Sequence, residues 1–125
     1  KGTNKLYQLQ KRYRKDSLNH IKGCSMHIRE FQRMMRRIYF HRDSERGKDG
    51  TYSWLVDEVK ELGEAVEEQD TKALEDEFAD VFAWLASLAN VVNIDLEKAV
   101  LTKYNNTCPK CQKAQCECPF ERRGK

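Results

Sequence analysis

The chain of 125 residues is long enough for one domain with a modest core, and 34% charged against 39% hydrophobic residues favours amphipathic helices over elements buried all round. No apolar run approaches the roughly 20 residues a membrane span needs, and no signal-peptide pattern opens the chain, so a soluble, cytoplasmic protein with no membrane partner is the expectation. The net charge of +3 hides an asymmetry: residues 1–49 carry 14 Lys/Arg against 5 Asp/Glu, while residues 57–80 carry 11 Asp/Glu against 2 Lys. That juxtaposition suits a phosphate-bearing ligand bridged by metal, and it equally suits plain solvation.

Residues 1–25 are basic and polar, with a weak helical pattern through Leu6, Leu9 and Tyr13. They read as an N-terminal extension ahead of a domain that opens at Met26, and Cys24 as a plain thiol. From Met26 to about His41, Ile28, Phe31, Met35 and Ile38 line one face and Arg29, Arg33, Arg36 and Arg37 the other, which predicts a helix with a basic outer side. The stretch 42–50 holds two glycines and no apolar residue, so it is expected to be a loop. Arg42 and Arg46 could reach an anionic ligand from it.

A second helix is expected from a cap at Thr51 or Ser53 to about Glu68, with Leu55, Val59, Leu62 and Val66 as its apolar stripe. Gln69, Asp70 and Thr71 make a short turn whose Asp or Thr caps the next helix. A third helix follows to about Val92, with a stripe of Leu74, Phe78, Val81, Leu85, Ala89 and Val92. So short a connection makes the two helices antiparallel neighbours. Glu58 and Glu61 fall three and six residues after Leu55; Glu77 and Asp80 fall three and six residues after Leu74. Each pair sits on the same flank of its stripe, so antiparallel packing can bring four carboxylates together. Like charges gathered there resist desolvation unless a cation joins them, and a hard ion such as Mg2+ suits an all-oxygen site. Trp84 lies one turn past Asp80 on that flank, where an indole could stack on a base or simply pack a helix edge.

Asn93 or Asp95 starts a fourth helix, with Leu96, Val100 and Leu101 facing inward and Lys103 in its last turn, a place that suits a cation beside the helix dipole. The domain ends near residue 107. In the tail, 108–125, Cys108, Cys111, Cys116 and Cys118 are spaced C-x2-C-x4-C-x-C. Four thiols so close can wrap one tetrahedral Zn2+, leaving no open position for catalysis, so a structural knob is the expectation.

Three stretches resemble the MazG-like nucleotide pyrophosphohydrolases: Trp54-Leu-Val-Asp-Glu58-Val-Lys-Glu61, Leu74-Glu-Asp-Glu77-Phe-Ala-Asp80, and Ile94-Asp-Leu-Glu-Lys-Ala-Val with Lys103-Tyr-Asn-Asn106. That family is marked by E-x-x-E, a spacer, and E-x-x-D. The likeness runs from about Ile28 to Asn106, through Glu30-Phe31-Gln32 and the Asp43…Arg46-Gly47 stretch, and the cysteine tail lies outside the core family pattern. The resemblance implies an all-α, four-helix-type bundle that dimerises or pairs dimers into a tetramer. It implies Mg2+-dependent hydrolysis of a nucleoside triphosphate to monophosphate and pyrophosphate, as in house-cleaning of nucleotide pools. Glu58, Glu61, Glu77 and Asp80 would hold Mg2+, Glu61 also being the candidate to orient or deprotonate water. Lys103 and Asn106 match the family's phosphate-contacting K-x-x-N; Trp84 and Arg46 join them as candidate substrate contacts from their own positions in the chain, not from that motif.

Two other readings stay open. A dUTPase-like or phosphoribosyl-ATP pyrophosphohydrolase belongs to the same superfamily and differs in pocket shape. A zinc-knuckle module binding nucleic acid or protein would use the basic half and the tail, but it leaves the acidic pairs without a role, so a nucleic-acid partner is not expected. A di-iron bundle normally needs Glu-x-x-His, and none of His20, His27 or His41 stands three after a Glu.

Overall fold

The computed structural model describes residues 25–120, so the expected basic extension apart from Ser25, Cys24 included, lies outside the described residues. Among these residues there are three helices and no strand: α1 (Ile28–Glu68), α2 (Thr71–Val91) and α3 (Leu96–Lys103).

The segment 42–50 is not the expected loop but part of α1. One hydrogen bond and one buried side chain, neither visible to composition, mark this segment. Asp43 is only 2% exposed and accepts a 2.8 Å hydrogen bond from Arg46 one turn on, and Thr51 is fully buried. The break expected across nine residues shrinks to a single one: Gly47, at φ 79 and ψ 178, kinks α1 between an arm 28–46 and an arm 48–68. Glycine alone adopts that conformation without steric cost. Thr51 sits inside the helix and its hydroxyl has no hydrogen-bond partner, so it caps nothing. The first two of the four expected helices are therefore the two arms of one kinked helix, and the described residues of a single chain form three helices, not a regular four-helix bundle.

The other caps follow the sequence. Asp70 accepts from the N–H groups of Lys72 and Ala73 (3.0 and 3.3 Å) and starts α2. Asp95 accepts from Lys98 N–H at 3.1 Å and starts α3. Between α1 and α2, Gln69 turns left-handed (φ 57) while its N–H bonds Ala65 C=O at 3.0 Å.

Both arms of α1 meet α2. On the first arm, Phe31 stacks on Phe82 with centroids 5.0 Å apart. Beside it Gln32 forms a buried polar clasp. Its amide donates to Asn90 Oδ1 (3.0 Å) and Ile94 C=O (2.7 Å), its Oε1 accepts from Leu96 N–H (2.9 Å), and Asn90 Nδ2 donates to Gln32 C=O (3.1 Å). Arg29 pairs with Asp95 and Glu97 at 2.9 and 2.8 Å. Together these tie the α2–α3 turn to the first arm. On the second arm, Trp54 stacks on Trp84, 5.5 Å between centroids and 8° from parallel.

The buried apolar set is small: Met35, Ala65, Ala86 and Ala89 among the described residues. The expectation that both stripes pack inward holds only in part. Leu55, Leu62 and Val81 are half-buried, but Val59 and Val66 on α1, Phe78 and Leu85 on α2, and Val92 just past its end are exposed. These residues recur every seven positions, so each set follows one line along its helix. Alanine at the α1–α2 contact lets the helices approach closely and leaves the larger side chains outside. No single described helix is long and apolar enough to cross a membrane.

Candidate active site

Antiparallel packing of the second arm against α2 puts Glu58 opposite Glu77 and Asp80. One ligand oxygen from each of these three carboxylates lies within 4.8 Å of the others. Glu61 is outside that set of three, yet near enough for its charge to act on both Glu58 and Glu77. The four acidic residues singled out by spacing are therefore gathered, three as a ligand group and one at its edge.

The gathering is electrostatically unfavourable on its own. Burial first, then the charges of Glu61 and Asp80, push the Glu58 carboxyl up to about 7 from 4.5. Burial and the same two neighbours raise Glu77 as well. Glu58 Oε2 and Glu77 Oε2 are buried with no hydrogen-bond partner. Two orphaned anionic oxygens facing a third carboxylate form a donor set that fits a hard divalent cation, since such an ion would satisfy both and offset the repulsion.

Next to this centre lies a cleft of about 310 Å³ lined by Arg42, Asp43, Arg46, Asp80, Trp84 and Ser87, with Tyr39 and Ala83 completing it. Asp80 belongs to both the carboxylate group and the cleft wall. Arg46 is held in place from three sides. Its guanidinium bonds Asp43 at 2.8 Å and lies 4.8 Å from the Trp84 ring centroid. Its side chain runs over Gly50, where a Cβ would come within 2.6 Å of Arg46 Cγ. Arg42 and Arg46, read from the sequence as able to reach an anionic ligand from a loop, both line this cleft, and they do so from a helix. Trp84 lines the cleft as its position suggested, but its ring is already stacked on Trp54. Asp43 entered the sequence reading only through the family resemblance of the Asp43…Arg46-Gly47 stretch; its spacing alone does not separate it from ordinary surface charge.

Lys103 and Asn106 do not line this cleft. Lys103 is exposed at the end of α3, its Nζ 5.7 Å from the Tyr104 ring centroid. Asn106, left-handed at φ 62, lines a separate cavity with Tyr104, Thr107, Cys108, Ala114 and Cys116.

That cavity borders the cysteine knob. The four sulfurs of Cys108, Cys111, Cys116 and Cys118 lie within 4.8 Å of one another, and none is in a disulfide. Cys108 and Cys118 are 3.8 Å apart and Cys111 and Cys116 4.0 Å. A regular tetrahedron with zinc–sulfur bonds of about 2.3 Å has sulfur–sulfur edges of about 3.8 Å. Backbone N–H groups point at sulfur: Glu117 to Cys111 and Cys118 to Cys116, both at 3.4 Å. Such donors pull Cys111 down to about 6, the N–H groups of Glu117 and Lys113 acting most strongly, while hydrogen bonds among the thiols push Cys118 up to about 12.

Helices alone carry the acidic centre, and its ligand atoms are all carboxylate oxygens; the class is an all-α protein with a site suited to a hard cation. Comparison with known families narrows it. Residues 46–112, more than half of the chain, match the MazG nucleotide pyrophosphohydrolase domain, and the chain belongs to that family. No curated protein matches it. The matched stretch includes the second arm of α1, all of α2 and α3, and the first half of the cysteine knob. Membership carries nucleotide pyrophosphohydrolysis as the general activity of the family.

Proposed function

We propose that the chain is a Mg2+-dependent nucleoside triphosphate pyrophosphohydrolase that releases a nucleoside monophosphate and pyrophosphate. The observation that carries this reading is the pair of orphaned oxygens on Glu58 and Glu77, gathered with Asp80 at the mouth of a cleft walled by arginine. Glu58, Glu77 and Asp80 would hold Mg2+. When bound, the ion supplies charge neutralisation for the polyphosphate and acidifies coordinated water.

The chain's own groups account for the rest. Glu61, beside the ligand group and more exposed, is placed to orient the attacking water and take its proton. Arg42 and Arg46 offer the cationic wall that a polyphosphate requires, and the Asp43 and Trp84 contacts hold Arg46 in position before substrate arrives. Trp84 and Tyr39 give the cleft an aromatic wall against the nucleoside. Lys103 and Asn106 enter by their match to the family's phosphate-contacting motif. Since neither lines the cleft of a single chain, they would serve a site completed by a second copy.

The exposed stripes support such a copy. Phe78 is 59% exposed and Val66 52%, on the two helices that carry the acidic centre. Burying Val59, Val66, Phe78, Leu85 and Val92 against their equivalents would turn two helix pairs into a four-helix bundle. A homodimer, or a pair of dimers, is the assembly proposed. For the tail, the near-tetrahedral sulfurs and the N–H groups aimed at them support structural Zn2+.

Glu61→Gln tests the assignment of roles. With Mg2+ and a panel of ribo- and deoxynucleoside triphosphates, the variant should still bind nucleotide while turnover falls at least about 100-fold. Equal loss of binding and turnover would instead make Glu61 a metal ligand. Among superfamily alternatives, turnover of dUTP or phosphoribosyl-ATP alone would select those narrower reactions.

A further inference from the structure

A second cavity, of about 250 Å³, lies where the first arm of α1 faces the end of α2 and the turn into α3. It shares no lining residue with the cleft, and none of the four acidic residues of the candidate active site lines it. Asn90, in its wall, stands ten residues beyond Asp80 on α2, about 15 Å of helix. Arg29, Arg33 and Arg36 enter it from successive turns of α1, and Asn93 enters from the α2–α3 turn. Asp95 is the one carboxylate of the lining.

The three arginines differ in what they already hold. Arg29 pairs with Asp95 and Glu97, which occupies the cavity's own carboxylate. Glu30, one turn before Arg33, accepts instead from the His27 N–H at 3.4 Å. Arg36 lies 3.8 Å over the Phe40 ring, a contact that uses the face of its guanidinium and not its N–H edges. Among the described residues no carboxylate pairs with Arg33 or Arg36. Two cations one turn apart repel each other, and an anion between them offsets that repulsion. A solvated basic face needs no cavity, whereas here both side chains line a recess.

We infer that this cavity is a second anion site, in which Arg33 and Arg36, with the Asn93 amide, hold a small phosphate-class oxyanion away from the acidic centre. The class follows from charge and size. A guanidinium presents its N–H groups as a planar fork that matches two oxygens of a phosphate. Pockets for drug-sized ligands start at about 300 Å³, so a cavity below that suits a compact ion better than a whole nucleotide. The inference does not depend on the reaction proposed above, and its test reads binding alone.

Isothermal titration of pyrophosphate into the full chain, without added Mg2+, tests it. Without the metal the carboxylates of the acidic centre repel anions, so the second cavity is the tighter site. Pyrophosphate should bind saturably, and the double variant Arg33→Gln/Arg36→Gln should weaken it at least about 10-fold, the loss of one charge-assisted hydrogen bond or more. Arg46→Gln, in the other cleft, should leave this binding unchanged. Melting followed by circular dichroism gives an independent reading: pyrophosphate should raise the midpoint of wild type and of Arg46→Gln but not of the double variant. Both arginines are exposed, so the double variant is expected to fold. If it does not, the single variants Arg33→Gln and Arg36→Gln decide, each expected to weaken binding several-fold. No saturable binding by wild type, binding that survives in the arginine variants, or binding lost in Arg46→Gln overturns the inference. A single-stranded oligonucleotide that displaces pyrophosphate at lower concentration also overturns it, and makes this a nucleic-acid face.

Discussion

Glu58→Gln should make the metal-free protein more stable while removing its response to metal. Glu58 binds its proton more tightly in the folded chain, at about 7 against 4.5, because it is buried among Glu61, Asp80 and Glu77. The folded state therefore takes up protons relative to the unfolded one between those values. Metal-free stability is greatest below about 4.5 and declines as pH rises through about 7. At full weight such a shift amounts to about 3 kcal/mol. Solvent reaches this cluster, Asp80 and Glu61 being exposed, so screening reduces the effect to on the order of 1 kcal/mol. Glutamine keeps the shape and removes the charge. At pH 8 without metal the variant should melt about 4–8 °C above wild type, the shift expected per kcal/mol in a domain of this size. At pH 5 the difference should nearly vanish, since wild-type Glu58 is then protonated. Mg2+ at 100 times its Kd should stabilise wild type by about 2.7 kcal/mol and the variant much less. Thermal denaturation followed by circular dichroism, with Mg2+ or EDTA at the two pH values, measures all four quantities. A variant less stable than wild type at pH 8 without metal, or stabilised equally by Mg2+, would refute the argument from repulsion.

Other expectations follow from single contacts. Gly47→Ala forces a side chain into φ 79, ψ 178 and should cost about 1–3 kcal/mol in denaturant unfolding, with the kink as the cause. Gly50→Ala should act differently: its Cβ displaces Arg46, so KM for the triphosphate should rise several-fold with little change in melting temperature. Phe78→Asp, on the exposed stripe, should shift the chain toward monomer in analytical ultracentrifugation, and an unchanged mass would place the interface elsewhere. Elemental analysis should find one zinc per chain, and Cys111→Ser should lose it; full retention in the variant would count against a four-thiolate site.

The site was more legible than the scaffold. The offset of each acidic pair from its apolar stripe was enough to place Glu58, Glu77 and Asp80 together, since the two-residue turn at Gln69 and Asp70 left the helices one way to pack. Asp70 and Asp95 announced their helices because a cap is a local interaction. The 42–50 stretch misled for the converse reason. Its glycines read as a loop, while the burial of Asp43 and Thr51 that keeps it helical depends on the rest of the fold. The apolar stripes told which residues avoid water but not which neighbour covers them, so Val59 and Phe78 read as core and stand outside it. The clasp between Gln32 and Asn90 carried no signal, because the two polar partners lie 58 positions apart and Gln32 entered only through the family resemblance.

The proposed reaction is cleavage between the α and β phosphates at the acidic centre. Phosphorus NMR of the products formed from CTP or ATP in 18O-labelled water tests it most directly, with Mg2+ present and with EDTA in its place. The account predicts monophosphate and pyrophosphate in equal amounts, formed only with metal and lost in Glu58→Gln. Diphosphate and inorganic phosphate, or turnover that survives EDTA, would contradict it.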